Sequence, residues 1–184
     1  MNNWFATLDG MRTQAWALMA EGVTDGTQPC RLACLATACP DGGASGRMVV
    51  LRKADPPVLE VQTDAASAKI DELTQDPLAT LVFWHPGDSL QIRARVRMEI
   101  LRGPALDPDW EALPEVARLN YGGTPEPGTP LTAAEDYCES VSRDRFAVLR
   151  GKVLSLDLVH LGRQMHRRAI YRREDGFAGQ WVAP

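Results

Sequence analysis

Two cationic stretches carry residue types that could bind an anion. The first, Arg47-Met-Val-Val-Leu-Arg52-Lys53, is an apolar run closed by cations at both ends. The second, Thr63-Asp-Ala-Ala-Ser67-Ala-Lys69, opens a helix whose first turn carries hydroxyls and an ammonium group. Unsatisfied N–H groups of a first helical turn attract phosphate, and a lysine there adds a charge-assisted hydrogen bond. The same residues also read as an ordinary surface capping arrangement, because cap residues beside a lysine are common.

Asp64 or Ser67 can cap this helix, Ile70 and Leu73 form an apolar pair three apart, and Pro77 stops it. Arg47 and Arg52 are five apart, so in an unbroken strand they face opposite sides, ~17 Å from each other. That spacing predicts separate roles.

The elements that must position these groups are mostly strands. Residues 31–37 read as one strand, Pro40-Asp-Gly-Gly43 as a hairpin turn into the Arg47 strand, and residues 58–63 as the next strand after Pro56-Pro57. Residues 78–84 are nearly continuously apolar, and His85-Pro-Gly-Asp88 turns the chain. From Gln91 to Glu99 the pattern alternates, with Gln91, Arg93, Arg95 and Arg97 on one face and Ile92, Ala94, Val96 and Met98 on the other. Residues 146–150, 152–158 and 168–173 finish the sheet.

Helices are peripheral. Trp4, Leu8, Met11, Ala15 and Leu18 predict an amphipathic helix over residues 3–21 whose stripe packs on a core, with Gly22 as its stop. Residues 107–119 read as a short helix and residues 132–140 as another, capped by Thr132. The turn-rich segment between them, Gly122 to Pro130, is expected to order against a partner subunit. Short strands in sequence-adjacent hairpins with few helices predict a mainly β (α+β) fold, an antiparallel barrel spanning residues 1–184 as a single domain.

The chain has 184 residues, 45% hydrophobic and 24% charged, values of a globular domain. A formal net charge of −4 argues against a nucleic-acid binder, and the arginine row of residues 93–97 reads as a solvated or interface face. No stretch suits a secretory signal or a membrane span, which predicts a cytoplasmic protein. Cys30, Cys34, Cys39 and Cys138 lack zinc-ligand spacing and read as reduced, mostly buried thiols, so no metal is expected.

The segments RMVVLRK, QTDAASAK and PLATLVFWHPGDSLQIRARV resemble, in order and spacing, the central block of the pyridoxamine 5′-phosphate oxidase family of FMN-binding split β-barrels. The resemblance implies FMN as cofactor, with Arg47, Ser67 and Lys69 at its phosphate. Backbone positions Val49, Val50 and Leu51 would line the isoalloxazine ring, Thr63 would lie beside the ribityl chain, Gln91 would sit at the flavin's polar edge, and Met48 and Gln62 are further cofactor-binding positions. Arg52 matches a position near the flavin pyrimidine and the substrate. Arg163-Gln-Met-His-Arg167 resembles the family's Arg-x-His-x-Arg, which places Arg163 on the substrate and Arg167 on the flavin.

The same resemblance implies a homodimer with flavin sites at the subunit interface and a small-molecule substrate. Its departures are specific. Met165 replaces the middle histidine, with His166 one position later, and Ala68 replaces a second phosphate arginine. No tryptophan lies among residues 157–162, the chain closes on Trp181-Val-Ala-Pro184, and residues 104–142 lack the family's substrate-phosphate set. The expectation is a divergent flavoprotein oxidoreductase passing a hydride equivalent from a small anionic amine or alcohol to flavin and then to oxygen. A nicotinamide- or deazaflavin-dependent reductase and a non-catalytic FMN-binding protein are the alternatives.

Overall fold

A computed structural model describes residues 3–184. Its strands are β1 (Leu32–Ala38), β2 (Ala44–Asp55), β3 (Val58–Asp64), β4 (Leu78–His85), β5 (Leu90–Leu101), β6 (Phe146–Leu161), β7 (His166–Arg172) and β8 (Gln180–Val182). They lie antiparallel in the order β3-β2-β1-β4-β5-β6-β7-β8, and an additional pairing of β3 with β6 closes the first six into a barrel. Closure leaves no open edge among those six. The mainly β barrel expected from the strand pattern is the observed architecture.

Strand β6 organises the molecule. One edge pairs with β5 along its length, while the other pairs with β3 over residues 146–152 and with β7 over residues 155–161. The two strands expected on either side of Gly151 are one strand. Gly151 is there for space, since a Cβ would lie 3.1 Å from both Met98 Sδ and Val96 Cβ.

Period-2 alternation fills the barrel. Ile92, Ala94, Val96 and Met98 are buried, whereas Arg93, Arg95 and Arg97 face outward. Helix α1 (Leu8–Thr24) lays Met11, Ala15, Leu18 and Met19 on the core, and the Thr7 hydroxyl caps it by accepting the Gly10 N–H at 3.0 Å. Trp4, assigned to the same stripe by spacing, lies in a preceding 3-10 turn. Gly22 does not stop the helix. It lets α1 pass the Cys30–Arg31 backbone, where a Cβ would come within 2.5 Å of the Cys30 carbonyl carbon.

The stretch from 104 to 142 departs most from expectation. Instead of one helix there are two short ones, α3 (Asp107–Glu111) and α4 (Glu115–Arg118), interrupted at Pro114. The helix expected over 132–140 shrinks to a 3-10 turn, Ala134–Asp136. Cys138 exchanges backbone hydrogen bonds with Thr124 at 2.8 and 2.9 Å, which takes its amide and carbonyl away from a helix. Tyr121, Gly122 and Gly123 are buried within the single chain. The cysteines are unpaired, but only Cys30 is buried; Cys34 and Cys39 are half-buried and Cys138 is exposed. No helix among the described residues is long and apolar enough to cross a membrane.

Candidate functional site

The two cationic stretches meet in one cleft of about 460 Å³. Its walls include Arg47, Met48, Val49, Val50 and Arg52 from β2, Gln62, Thr63 and Asp64 from β3, and Ser67 and Lys69 at the start of helix α2 (Ala68–Gln75). The β2–β3 hairpin delivers the first two groups, and the turn after Asp64 swings the third alongside them. Leu51 points into the barrel, is fully buried, and lies outside this lining.

Ser67 occupies the N-cap position of α2 with extended backbone, yet its side chain does not cap. Its hydroxyl donates to the Asp64 carbonyl at 2.7 Å, accepts from Lys69 Nζ at 2.9 Å and lies 3.1 Å from the Thr63 hydroxyl. Lys69 also donates to Thr63 Oγ1 at 2.9 Å. Burial, and then the nearby Arg47 charge, push the Lys69 ammonium below the usual lysine pKa. Two hydroxyls thus converge on a cation that has no ion-pair partner among the described residues.

Arg47 is held from behind. Its guanidinium reaches both oxygens of Glu72 in α2, at 2.7 and 3.0 Å, and hydrogen-bonds the Thr37 and Ser45 hydroxyls. Glu72 is buried and also accepts from Thr37 at 2.5 Å. Burial pushes its carboxyl up, but the hydrogen bonds from Thr37 and Arg47 outweigh it and hold the pKa below the ordinary glutamate value. Glu72 is a positioning residue that sequence spacing did not reveal, because its partner lies on a strand 25 positions earlier.

Arg52 reaches the same cleft from the other face of β2. Burial along β2 keeps Arg47 and Arg52 on opposite sides, Arg47 in phase with buried Val49 and Leu51 and Arg52 in phase with Met48 and Val50, yet both border the cleft. The β2–β3 register shifts between Leu51 and Lys53, a bulge at Arg52. Arg52 and Gln62 also border an adjoining hollow of about 380 Å³ floored by Leu106, Leu113 and Val148. Arg52 Nε and Gln62 Oε1 are both buried without a hydrogen-bond partner. Burial raises the Tyr121 pKa, and the neighbouring Arg52 opposes that rise.

Asn120, Tyr121 and Pro127 form a wall that sequence reasoning left without a role. Asp64 fastens it: one carboxylate oxygen accepts the Gly122 N–H at 3.0 Å, and the other accepts from Arg145 Nε and the Ala66 N–H, both at 2.7 Å. One side chain therefore shapes the turn into α2 and anchors the wall facing it.

The remaining predicted positions lie elsewhere. Gln91 pairs with Trp84 and Val159, Arg163 is exposed in the turn between β6 and β7, and Arg167 sits on β7. The Arg167 guanidinium lies 4.9 Å from the Phe5 ring centroid, and Phe5 in turn stacks on His160 with centroids 4.7 Å apart. None of these three residues lines the cleft. Met165 is 59% exposed in the turn, and His166 begins β7 opposite Leu161.

No family model matches the chain. A curated pyridoxine/pyridoxamine 5′-phosphate oxidase from Nostoc punctiforme is 36% identical over 85 residues, and one from Gloeothece citriformis is 35% identical over 85 residues. Each match covers 46% of this chain and 40% of the relative. The crystal structure of a pyridoxamine 5′-phosphate oxidase-related, FMN-binding protein from Nostoc punctiforme PCC 73102 superposes with a TM-score of 0.77 at 24% identity, over 94% of this chain and 97% of that one. The chain shares its fold with that FMN-binding protein. A second structure of this fold, PhzG from Burkholderia lata 383 in complex with tetrahydrophenazine-1-carboxylic acid, gives 0.75 at 18% identity over 100% of this chain and 97% of that one.

Within this fold, the cleft residues fit an FMN phosphate. Arg47, Arg52 and Lys69 supply three cations against the nearby carboxylates Asp64 and Glu72, of which Asp64 is also paired with Arg145, and Ser67 and Thr63 supply hydroxyls. The unpartnered Arg52 Nε and Gln62 Oε1 fit a ring edge that both donates and accepts.

Proposed function

We propose that the protein is an FMN-dependent oxidoreductase acting on a small anionic substrate as a homodimer. The observation that carries this reading is the convergence of Arg47, Thr63, Ser67 and Lys69 in one cleft with net positive charge. Arg47, pre-oriented by Glu72, and Lys69 would hold the phosphate, the Ser67 and Thr63 hydroxyls would complete its shell, and Tyr121 and Pro127 would limit water. Bound FMN would supply a ring able to take a hydride equivalent from a carbon next to an amine or alcohol, with oxygen as final acceptor. Arg52 and Arg163 are the candidate holders of an anionic group on the substrate, since guanidinium binds carboxylate or phosphate bidentately.

The outer sheet face supports the dimer. Cross-strand register sets Met48 beside Cys34 and Cys34 beside Val82; two residues along, Val50 lies beside Leu32, and Trp84 is two residues past Val82 on β4. Met48 is 63% exposed, Leu32 47% and Trp84 46%, a continuous apolar strip bordering the cleft. A second copy on this strip would bring Gln91, Arg163 and Arg167 of one chain toward the cleft of the other.

A visible spectrum of the purified protein, with FMN added if it is colourless, tests the cofactor. Bands near ~450 nm that survive gel filtration are expected; no binding at micromolar FMN refutes the proposal. The exposed turn carrying Met165 in place of a histidine favours a second reading, FMN binding without turnover. Anaerobic reduction of the bound flavin by a panel of amines, alcohols and nicotinamides decides between them, and an unreduced flavin throughout selects the second.

A further inference from the structure

Away from the cleft, the outer face of β5, β6 and β7 carries two adjacent rows in which arginines surround a shorter polar side chain of β6. In the first row Arg93 lies opposite Asp157. Asp157 accepts hydrogen bonds from Arg93 and, at 2.9 and 3.0 Å, from Arg168. Burial pushes the Asp157 carboxyl up, yet the bonds from Arg168 and Arg93 outweigh it and hold its pKa below the ordinary aspartate value. Both arginines of this row are thus paired with a carboxylate.

Two residues along β6, Arg95 lies opposite Ser155, and Ser155 lies opposite Arg172. Directly opposed residues of antiparallel strands point to the same face. Whereas Asp157 stands opposite Ile170 on β7 and meets Arg168 diagonally, Ser155 is flanked from both neighbouring strands, by Arg95 and Arg172. Here the centre is a neutral hydroxyl. Leu154 is the extra residue of a bulge, because Arg95 pairs with Ser155 while Val96 pairs with Val153. Beside it opens a hollow of about 590 Å³ lined by Arg95, Leu154, Ser155, Arg172, Arg173 and Glu174. Arg95, Arg172 and Arg173 have no ion-pair partner among the described residues.

We propose that this hollow binds a phosphate-bearing small molecule, whose dianion takes the central place that Asp157 fills in the neighbouring row. Three guanidinium groups against the single Glu174 carboxylate leave two positive charges, which a phosphate monoester of about −2 balances and a lone carboxylate does not. The planar guanidinium groups can bond phosphate oxygens bidentately, and the Ser155 hydroxyl donates one more hydrogen bond. Leu154 offers an apolar contact to whatever the phosphate is attached to. The lining shares no residue with the flavin cleft, so the site stands apart from the cofactor assignment.

Calorimetric titration of the purified protein with inorganic phosphate and with phenyl phosphate, at low ionic strength, tests it. Ser155→Asp installs in the second row the carboxylate already present in the first, and it is expected to weaken one phosphate-binding event at least ten-fold. Arg95→Gln, a milder change at the solvent-facing edge, should weaken the same event, with unchanged circular dichroism showing that the barrel is intact. Tighter binding of phenyl phosphate identifies an organic ester resting on Leu154; equal binding identifies free phosphate. Isotherms of Ser155→Asp and Arg95→Gln that match the parent protein overturn the proposal.

Discussion

At its start, β6 runs beside β3 and the cleft, where Arg47, Glu72, Thr37, Lys69, Ser67 and Thr63 are already joined by hydrogen bonds within one chain. Its far end, ~40 Å of extended chain away, runs beside β7, where Arg163, Met165 and His166 are exposed and Arg167 leans on Phe5. The first region is organised before any ligand arrives. The second is a set of side chains still without a common target, as expected of groups that act on a site in another copy of the chain. In such an arrangement, cofactor affinity depends on one end of β6 and substrate chemistry on both.

The sharpest way to break this comparison is to separate the copies. Met48→Asp places a charge in the middle of the exposed apolar strip, and the expected outcome is a monomer by sedimentation at concentrations where the parent is a dimer. An unchanged sedimentation coefficient in both would remove the two-chain account of Gln91, Arg163 and Arg167.

Next in size is Glu72→Ala. Removing one partner of a largely buried pair leaves Arg47 uncompensated, a loss of about 3 kcal/mol that lowers the melting temperature by roughly 10 °C. Glu72→Gln, which keeps the hydrogen-bond acceptor, should lose less. Lys69→Ala should weaken FMN binding roughly ten- to hundred-fold in a fluorescence-quenching titration. Its thermal stability in the absence of flavin should not fall, because the parent keeps a partly desolvated ammonium there.

The smallest effect concerns the far end. His160 is buried against Trp4 and Phe5, and burial, with the Arg167 charge, lowers its pKa from 6.5. The native state therefore favours the neutral ring: its contribution is complete above the unfolded pKa and is lost as pH falls through the lower folded value. Thermal melts should show a decline of under about 1 kcal/mol between about pH 7 and about pH 5, and His160→Gln should flatten it.

Much of the barrel was legible because its strands alternate between buried and exposed residues. The sequence from Gln91 to Glu99 displays that period without interruption, and the observed burial follows it. Cleft residues of β2, β3 and α2 were legible because they lie in two short segments joined by a hairpin, and local patterning specifies such geometry. Glu72, Asp64 and Tyr121 were not recognised in their roles. Their partners are distant in the chain, and nothing in a run of residues signals that Asp64 will receive the Gly122 amide. Gly22 and Gly151 were misread as breaks because a glycine required by close packing looks, in sequence, the same as one that ends an element. The bulge at Arg52 likewise has no local signature, yet it shifts the β2–β3 register beyond Leu51.

The burial of Lys69 makes the cleft sensitive to alkali. Its ammonium holds its proton less firmly than a free lysine does, and a phosphate arriving beside it would reverse that preference. In alkaline buffer, association is therefore accompanied by uptake of a fraction of a proton, and the measured heat depends on the ionisation enthalpy of the buffer chosen. Capture of an anion would thus weaken as pH rises past the lowered pKa of the empty cleft, whereas an anion already in place would keep the ammonium charged to a higher pH.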